Sequence, residues 1–440
     1  VGYDAHVPAI AAASAAPAGA GPLFSAARGE DTSGPVAAQL FQRVLALIML
    51  LAWLSLLSQL QLLIGSHGLL PAAEFFERAR AAGAGFWDEP TLFWIAHSDP
   101  TLTTGAFFGV FLALLAALGR RPRLCFGASA ALYLSYAIVC SDFGAFQWDN
   151  LLIETAALAA FLPAQRRSGL AHFAFRALLF KLYFESGIAK WQSQLHDWQD
   201  GSAMSFYYET APIPARLAWY AHQLPAGWHR LESWGALALE LVVPWLIWGP
   251  RRARLFACIA FTGFQLVNTA TANYGFFTYL ATALHLFLLS DADLARPLAL
   301  AAPFLPRLEP PTRANVAPAR RRKLAAFGLL AAWLSASSLA ALIAFASVPA
   351  RDRGFEEVHA LYAPFRVANV YHLFGHITRE RIEPQFETRV NGDWLEHDLW
   401  YKPGNVQRPP PYVAPHQPRV DFQLWFYGLS FRRGMPAYVA

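Results

Sequence analysis

The sequence predicts a mostly α-helical, polytopic membrane helix bundle of about nine spans, followed by a small extracytoplasmic β-rich domain. Three observations predict it. Of 440 residues, 55% are hydrophobic and 15% charged, against about 25% charged in an average soluble domain. Apolar runs near the ~20 residues that cross a bilayer recur along the chain. The Lys/Arg groups fall between those runs, a membrane pattern. The formal net charge of +5 is spread out, so no nucleic-acid partner is expected; the lipid bilayer is.

The elements follow in order. Residues 1–40 are rich in Ala, Pro, Gly and Ser and read as a disordered N-terminal segment. They show no charged n-region with a cleavage site of a signal peptide. The chain starts at Val1, not Met, as it would if its N-terminus lay upstream. Residues 41–348 read as the transmembrane domain, with candidate spans 44–64, 103–119, 124–140, 146–162, 171–189, 233–249, 254–272, 275–290 and 324–348. The runs at 146–162, 171–189 and 275–290 are the short or polar ones. Cys125, Cys140 and Cys258 lie in or at the ends of apolar runs, with no CxxC and no Cys-His spacing. They read as small buried apolar residues, and no metal site is expected.

Orientation follows from the basic loops. Short loops rich in Lys/Arg stay cytoplasmic. The groups Arg120-Arg121-Arg123, Arg166-Arg167, Arg251-Arg252-Arg254 and Arg320-Arg321-Arg322-Lys323 all fall on one side if there are nine spans. The other side receives loops 65–102 and 190–232 and everything after 348. Both loops exceed the ~12–15 residues of a plain connection, and their aromatic and turn content argues for order. In 349–440, Ile382, Phe386, Thr388 and Val390 sit at even positions, and Asn391-Gly392 is a hairpin turn signal. The run Val420-Asp421-Phe422-Gln423-Leu424-Trp425-Phe426 reads as a further strand.

Polar residues in apolar runs are the candidate functional groups. The run Phe146-Gln147-Trp148-Asp149-Asn150-Leu151-Leu152-Ile153-Glu154 opens the fourth span. Asp149 and Asn150 are expected to cap its helix. Asn150 and Glu154 are four apart and share a face. A carboxylate inside a span usually faces a polar interior, so Glu154 is expected to make a buried polar contact. Lys181 and Glu185 are expected to pair across one helical turn. Glu154, Glu185, Glu240 and His285 could converge on a polar cavity, but their spacing supports no metal site. His416, in a Pro-rich loop with Gln417 and Arg419, is expected to make a structural hydrogen bond. Gly-x-Ser-x-Gly and a phosphate-binding loop are both absent, which argues against a lipase or a nucleotide enzyme.

Several segments together resemble the lipase maturation factors. They are Gly68-Leu69-Leu70-Pro71-Ala72, Pro90-Thr91-Leu92-Phe93-Trp94, Phe146-Gln147-Trp148-Asp149-Asn150-Leu151-Leu152, Tyr208-Glu209-Thr210, Glu240-Leu241-Val242-Val243-Pro244, Tyr401-Lys402-Pro403-Gly404 and Val413-Ala414-Pro415-His416-Gln417-Pro418-Arg419. The resemblance implies a multi-pass membrane protein that helps immature secreted lipases fold. It implies the endoplasmic reticulum membrane for a eukaryotic member and the inner (cytoplasmic) membrane for a bacterial one; the high Ala, Arg and Leu content looks bacterial. Trp148, Asp149, Asn150, Glu154, Lys190, Tyr208, Glu209, His416 and Arg419 are the resulting candidates for a functional surface. The chain departs from the pattern at Ala215, where such proteins carry Asn after the Pro-x-Pro pair. It also ends at Ala440, where animal members continue. A second, more distant resemblance joins Tyr183-Phe184-Glu185-Ser186-Gly187-Ile188-Ala189-Lys190-Trp191 to the vitamin K-dependent γ-carboxylase group. It implies a lipid-soluble quinol cofactor with Lys190 as base; alternatively, Lys190 only snorkels to the interface. Two function classes follow: a chaperone-like maturation factor without cofactor, the reading preferred here, and a carboxylase-like membrane enzyme.

Overall fold

The computed structural model describes residues 33–301, 308, 320–346 and 353–439. Residues 1–32, where disorder is expected, lie outside the described residues. Each of the nine apolar runs forms helix. These helices are α1 (Pro35–Leu57), α2 (Asp99–Ala117), α3 (Pro122–Val139), α4 (Gln147–Ala159), α5 (Gly169–Trp191), α6 (Ala226–Leu241), α7 (Arg251–Thr271), α8 (Phe277–Leu284) and α9 (Arg320–Phe345). A 3-10 turn, Val243–Trp248, extends α6.

Five of them are long and apolar enough to cross a membrane: α1, α2, α3, α6 with its turn, and α9. The others fall short for two reasons. Helices α4 and α8 have 13 and 8 residues, below the ~20 that span hydrocarbon. Helix α5 carries Arg176, Lys181, Glu185 and Lys190, and α7 opens on Arg251, Arg252 and Arg254. Length and composition therefore carry five crossings rather than nine.

Local chemistry sets the ends and contacts. Helix α1 starts inside the stretch read as disordered. Pro35 takes its first position, where a missing N–H costs nothing. The Asp291 carboxylate accepts from the backbone N–H of Gly34, Val36 and Ala37 at 3.0–3.1 Å, satisfying donors that the first turn leaves free. Val36, Ala37 and Ala38 are buried, which anchors this turn. Helix α2 approaches α1 at Gly109, where a Cβ would lie 2.3 Å from the Trp53 ring. Trp53 is fully buried, meets Tyr133 and Tyr136 of α3 edge-on, and donates to Ser129 Oγ at 2.9 Å. Helix α5 runs against α4, α6, α8 and α9.

The C-terminal part corrects the expectation of a β-rich domain. Among the described residues its sheet is one antiparallel hairpin, β1 (Phe386–Val390) and β2 (Asp393–His397), in the register Phe386↔His397 to Val390↔Asp393. Asn391 and Gly392 both have positive φ, as a two-residue hairpin turn requires. The expected strand at Val420–Phe426 is helix α10 (Arg419–Ser430). Its alternating apolar residues mimic a strand, but Phe422 and Phe426 are one helical turn apart and both meet Phe146. Tyr371, Ile377, Phe422 and Tyr438 join the same apolar core as the bundle.

Candidate functional site

Three buried ion pairs mark one end of the bundle: one joins the C-terminal segment to it, and the other two join bundle helices and take hydrogen bonds from residues 369–373 of that segment or give them to it. The first is Arg419 of α10 on Asp149 of α4. Its two guanidinium nitrogens meet the two carboxylate oxygens at 2.8 and 2.7 Å, and Tyr133 donates to the same carboxylate at 2.7 Å. Asp149 is fully buried and Arg419 nearly so. Burial alone would lower the Arg419 pKa; the adjacent Asp149 carboxylate overrides it and holds the guanidinium above its ordinary range. This corrects the expected cap. Phe146 is the N-cap of α4, with no side-chain cap bond, and the Asp149 carboxylate is committed to Arg419.

The second pair is Lys181 of α5 on Glu154 of α4, at 2.8 Å. Glu154 is fully buried and also accepts from Trp333 Nε1 at 3.0 Å, Asn369 Nδ2 at 2.8 Å and the Tyr371 hydroxyl at 2.6 Å. The expected Lys181–Glu185 hydrogen bond is replaced: Lys181 turns to Glu154 and Ser337, and Glu185 accepts from the Tyr371 backbone N–H at 2.8 Å. Both residues of the expected pair are buried, and the Glu154 carboxylate on the neighbouring helix gives the ammonium a charge-assisted acceptor at 2.8 Å. Burial first, then the Glu154 carboxylate, push the Tyr371 hydroxyl far above its usual pKa, so it stays a donor.

The third pair is Lys190 of α5 on Glu240 of α6. Lys190 Nζ lies 3.0 and 2.7 Å from the two Glu240 oxygens and donates to the Leu373 carbonyl at 2.7 Å. It also sits 5.0 Å over the Trp198 ring. Lys190 is buried rather than snorkelling. Helix α6 reaches it because Gly187 has no side chain: a Cβ there would lie 2.9 Å from the Glu240 backbone.

Further contacts close the seam. His416 Nδ1 pairs with Ser55 Oγ at 3.0 Å, and the Gln417 backbone N–H donates to the same hydroxyl at 2.9 Å. Burial first, then the Arg419 charge, lower the His416 pKa. Asn273, which sequence reasoning missed, receives Val413 N–H at 2.8 Å and donates to the Pro411 carbonyl at 2.9 Å. Arg381 donates to the carbonyls of Glu209, Ala211 and Pro212 and pairs with Glu383, which also holds buried Lys402 at 2.7 Å. Asn369 and Tyr371 were also missed. Nothing in a loop sequence marks which polar residues will reach a span.

Under this seam lies a half-open cavity of about 1990 Å³, walled by α5, α6, α7 and the stretches 370–382 and 422–432. Of the sequence candidates, Trp148, Asn150, Lys190 and Tyr208 line it, together with Glu240. Asp149, Glu154, His416 and Arg419 belong to the seam around it. Tyr208 donates to Glu232 at 3.0 Å, and Glu232 also pairs with His229. Glu209 lies outside, exposed and paired with His222. The four groups that could have converged on one cavity do not: Glu154 and Glu185 meet at Tyr371, Glu240 meets Lys190, and His285 bonds Tyr183 and Thr262. No group of three or more His, Cys, Asp or Glu among the described residues could hold a metal ion.

A second feature is a run of exposed apolar side chains within residues 390–412. Val390, Trp394, Leu395, Trp400, Val406 and Tyr412 all face solvent, with Trp400 79% and Val406 98% exposed. The hairpin that carries three of them has two unpaired edges.

Comparison with known proteins is consistent along the chain. A family model described as the lipase maturation factor transmembrane domain matches residues 36–296, and one described as the lipase maturation factor C-terminal domain matches 367–437. Lipase maturation factor 2 of Rattus norvegicus is 30% identical, over 90% of this chain and 73% of its own length. Lipase maturation factor 1 of Bos taurus is 29% identical, over 87% of this chain and 73% of its own. No solved structure matches the chain significantly.

Proposed function

The chain belongs to the lipase maturation factor family, and we propose that it is a chaperone-like maturation factor for exported lipase-type enzymes. The immature client is held on the apolar surface of residues 390–412. One observation carries this: a segment held to the bundle by the buried Arg419–Asp149 pair and by hydrogen bonds from Asn369 and Tyr371 to Glu154 and Glu185 and from Lys190 to the Leu373 carbonyl nevertheless leaves Trp394, Trp400 and Val406 in solvent. Large apolar side chains left exposed in one ordered segment are candidates for an interaction site. The free hairpin edges can add a strand of an unfolded client, with backbone hydrogen bonds giving affinity without strict sequence demands.

In this reading the seam end of the bundle, with loops 65–102 and 190–232, faces away from the cytoplasm, because the basic loops lie at the other ends of the same helices. The membrane is the endoplasmic reticulum in a eukaryotic host and the inner membrane in a bacterial one. The carboxylase-like alternative finds no support at Lys190, whose ammonium is committed to Glu240 and Leu373. The test is capture from intact membranes. The wild-type chain should retain an immature lipase, and the double variant Trp394→Ala, Trp400→Ala should lose it at equal protein level. Equal capture by the variant would place the client elsewhere.

A further inference from the structure

The cavity is larger than a small-metabolite site needs. Its 1990 Å³ is about twice the upper end of ordinary small-molecule pockets. Helix α6 packs chiefly on α5, and α7 on the Val243–Trp248 turn and α8, so the two diverge from the turn that joins them. Gly235 of α6 and Val267 of α7 line the cavity at this gap, and both are exposed. Around them Leu231, Trp234, Ile259 and Leu266 are exposed as well, the apolar exterior expected against lipid. An opening between two such helices admits its ligand from the bilayer.

The interior polar groups state what that ligand carries. Lys190 and Glu240 neutralise each other, and the Glu232 carboxylate, also on the lining, is taken up by Tyr208 and His229, so no charge inside is left without a partner. Arg379 and Arg432 lie only at the exposed rim, with Asp142 and Glu380 also on the lining. Outside the Lys190–Glu240 pair, four buried atoms of lining residues have no partner: the Trp148 Nε1–H donor, the amide oxygens of Asn150 and Gln265, and the Thr378 hydroxyl. Trp148 and Gln265 are 5% and 3% exposed and both line the cavity. Stranding a buried donor or acceptor is unfavourable, so the site is complementary to a ligand that both accepts and donates.

We propose that this cavity binds a neutral acylglycerol of the diacylglycerol class, drawn from the membrane between α6 and α7. An ester carbonyl accepts from Trp148 Nε1, the free hydroxyl donates to an amide oxygen of Asn150 or Gln265, and the acyl chains lie along Phe264 and Phe277. The client surface at Trp394 and Trp400 is not on the lining, so this site stands independently of the maturation reading.

The test uses the full chain in phosphatidylcholine vesicles with a photoactivatable diacylglycerol, followed by mapping of the labelled peptides. Saturable labelling of cavity residues, displaced by unlabelled diacylglycerol, is expected. Trp148→Phe keeps the ring and removes the donor; it should weaken apparent affinity about 2–10-fold, as loss of one hydrogen bond does. Gly235→Trp should block labelling, since a Cβ there meets nothing within 4 Å and the side chain can fill the gap. Thermal unfolding of both variants reports that they fold, and Trp148→Phe stands alone if Gly235→Trp does not. The proposal fails if label falls only on the outer faces of α6 and α7. It fails if both variants label as wild type, or if photoactivatable phosphatidylcholine marks the same residues equally. Displacement by an immature lipase but not by diacylglycerol would assign the cavity to the client instead.

Discussion

At the scale of single residues, the account rests on charges that are buried and matched. Removing one partner of a buried pair leaves the other charge without compensation and typically costs about 3–5 kcal/mol. Arg419→Ala should therefore lower the unfolding midpoint and the membrane level of the protein sharply. Arg419→Lys should restore little, since an ammonium cannot reproduce the bidentate fork on Asp149. Lys190 gives the opposite kind of test. Lys190→Ala alone should destabilise, whereas Lys190→Met with Glu240→Leu removes both charges and should keep client maturation, as apolar replacement of a buried pair often does. A folded double variant that fails to mature any client would restore a chemical role for this lysine.

His416 supplies a pH dependence. Its folded pKa lies below the ordinary 6.5 because burial disfavours the cation. The unfolded form therefore takes up the proton first, and stability falls as pH drops below about 6.5. Above that value His416 contributes no slope. The unfolding midpoint measured across this window should fall less steeply in His416→Gln than in wild type. At this scale the sequence disclosed that Glu154 is an acid carried into an apolar run, but not its partners. Lys181 and Tyr371 reach it from 27 and 217 residues away, and chain order holds no trace of such pairings.

At the scale of elements, strong local signals succeeded and ambiguous ones failed. The nine apolar runs are helical, because long hydrophobic stretches without strand punctuation have little alternative. The Asn391-Gly392 turn was legible because few residue pairs adopt two positive φ angles. Replacing both residues by Ala should disorder the hairpin, seen as rapid amide exchange over 386–397, while the bundle's unfolding midpoint moves little. Helix α10 was not legible: its alternation suits a strand, and only docking of Phe422 and Phe426 against Phe146 decides otherwise. Gly187 was quoted in a motif, yet its role needs the partner helix. Gly187→Leu should force α6 from α5, break the Lys190–Glu240 pair and destabilise the fold by more than the same change at Gly263, where no neighbour lies within 4 Å of a Cβ.

At the scale of the whole molecule, bundle and C-terminal segment form one structural unit around a shared apolar core. The ion pairs contribute geometry more than net stability, since desolvation offsets much of their attraction. What they secure is a fixed platform, with an aromatic cavity below and an exposed apolar surface above. Composition and the basic loops disclosed a membrane protein with its unusual content gathered at one end. They could not disclose a cavity, which exists only once α5, α6, α7 and α10 have packed. The most direct measurement is the specific activity of a secreted lipase made in cells that depend on this chain. With Trp394→Ala and Trp400→Ala at unchanged membrane level, the account predicts that lipase protein is still made but its activity per molecule falls severalfold. Unchanged specific activity, with immature lipase still captured, would contradict it.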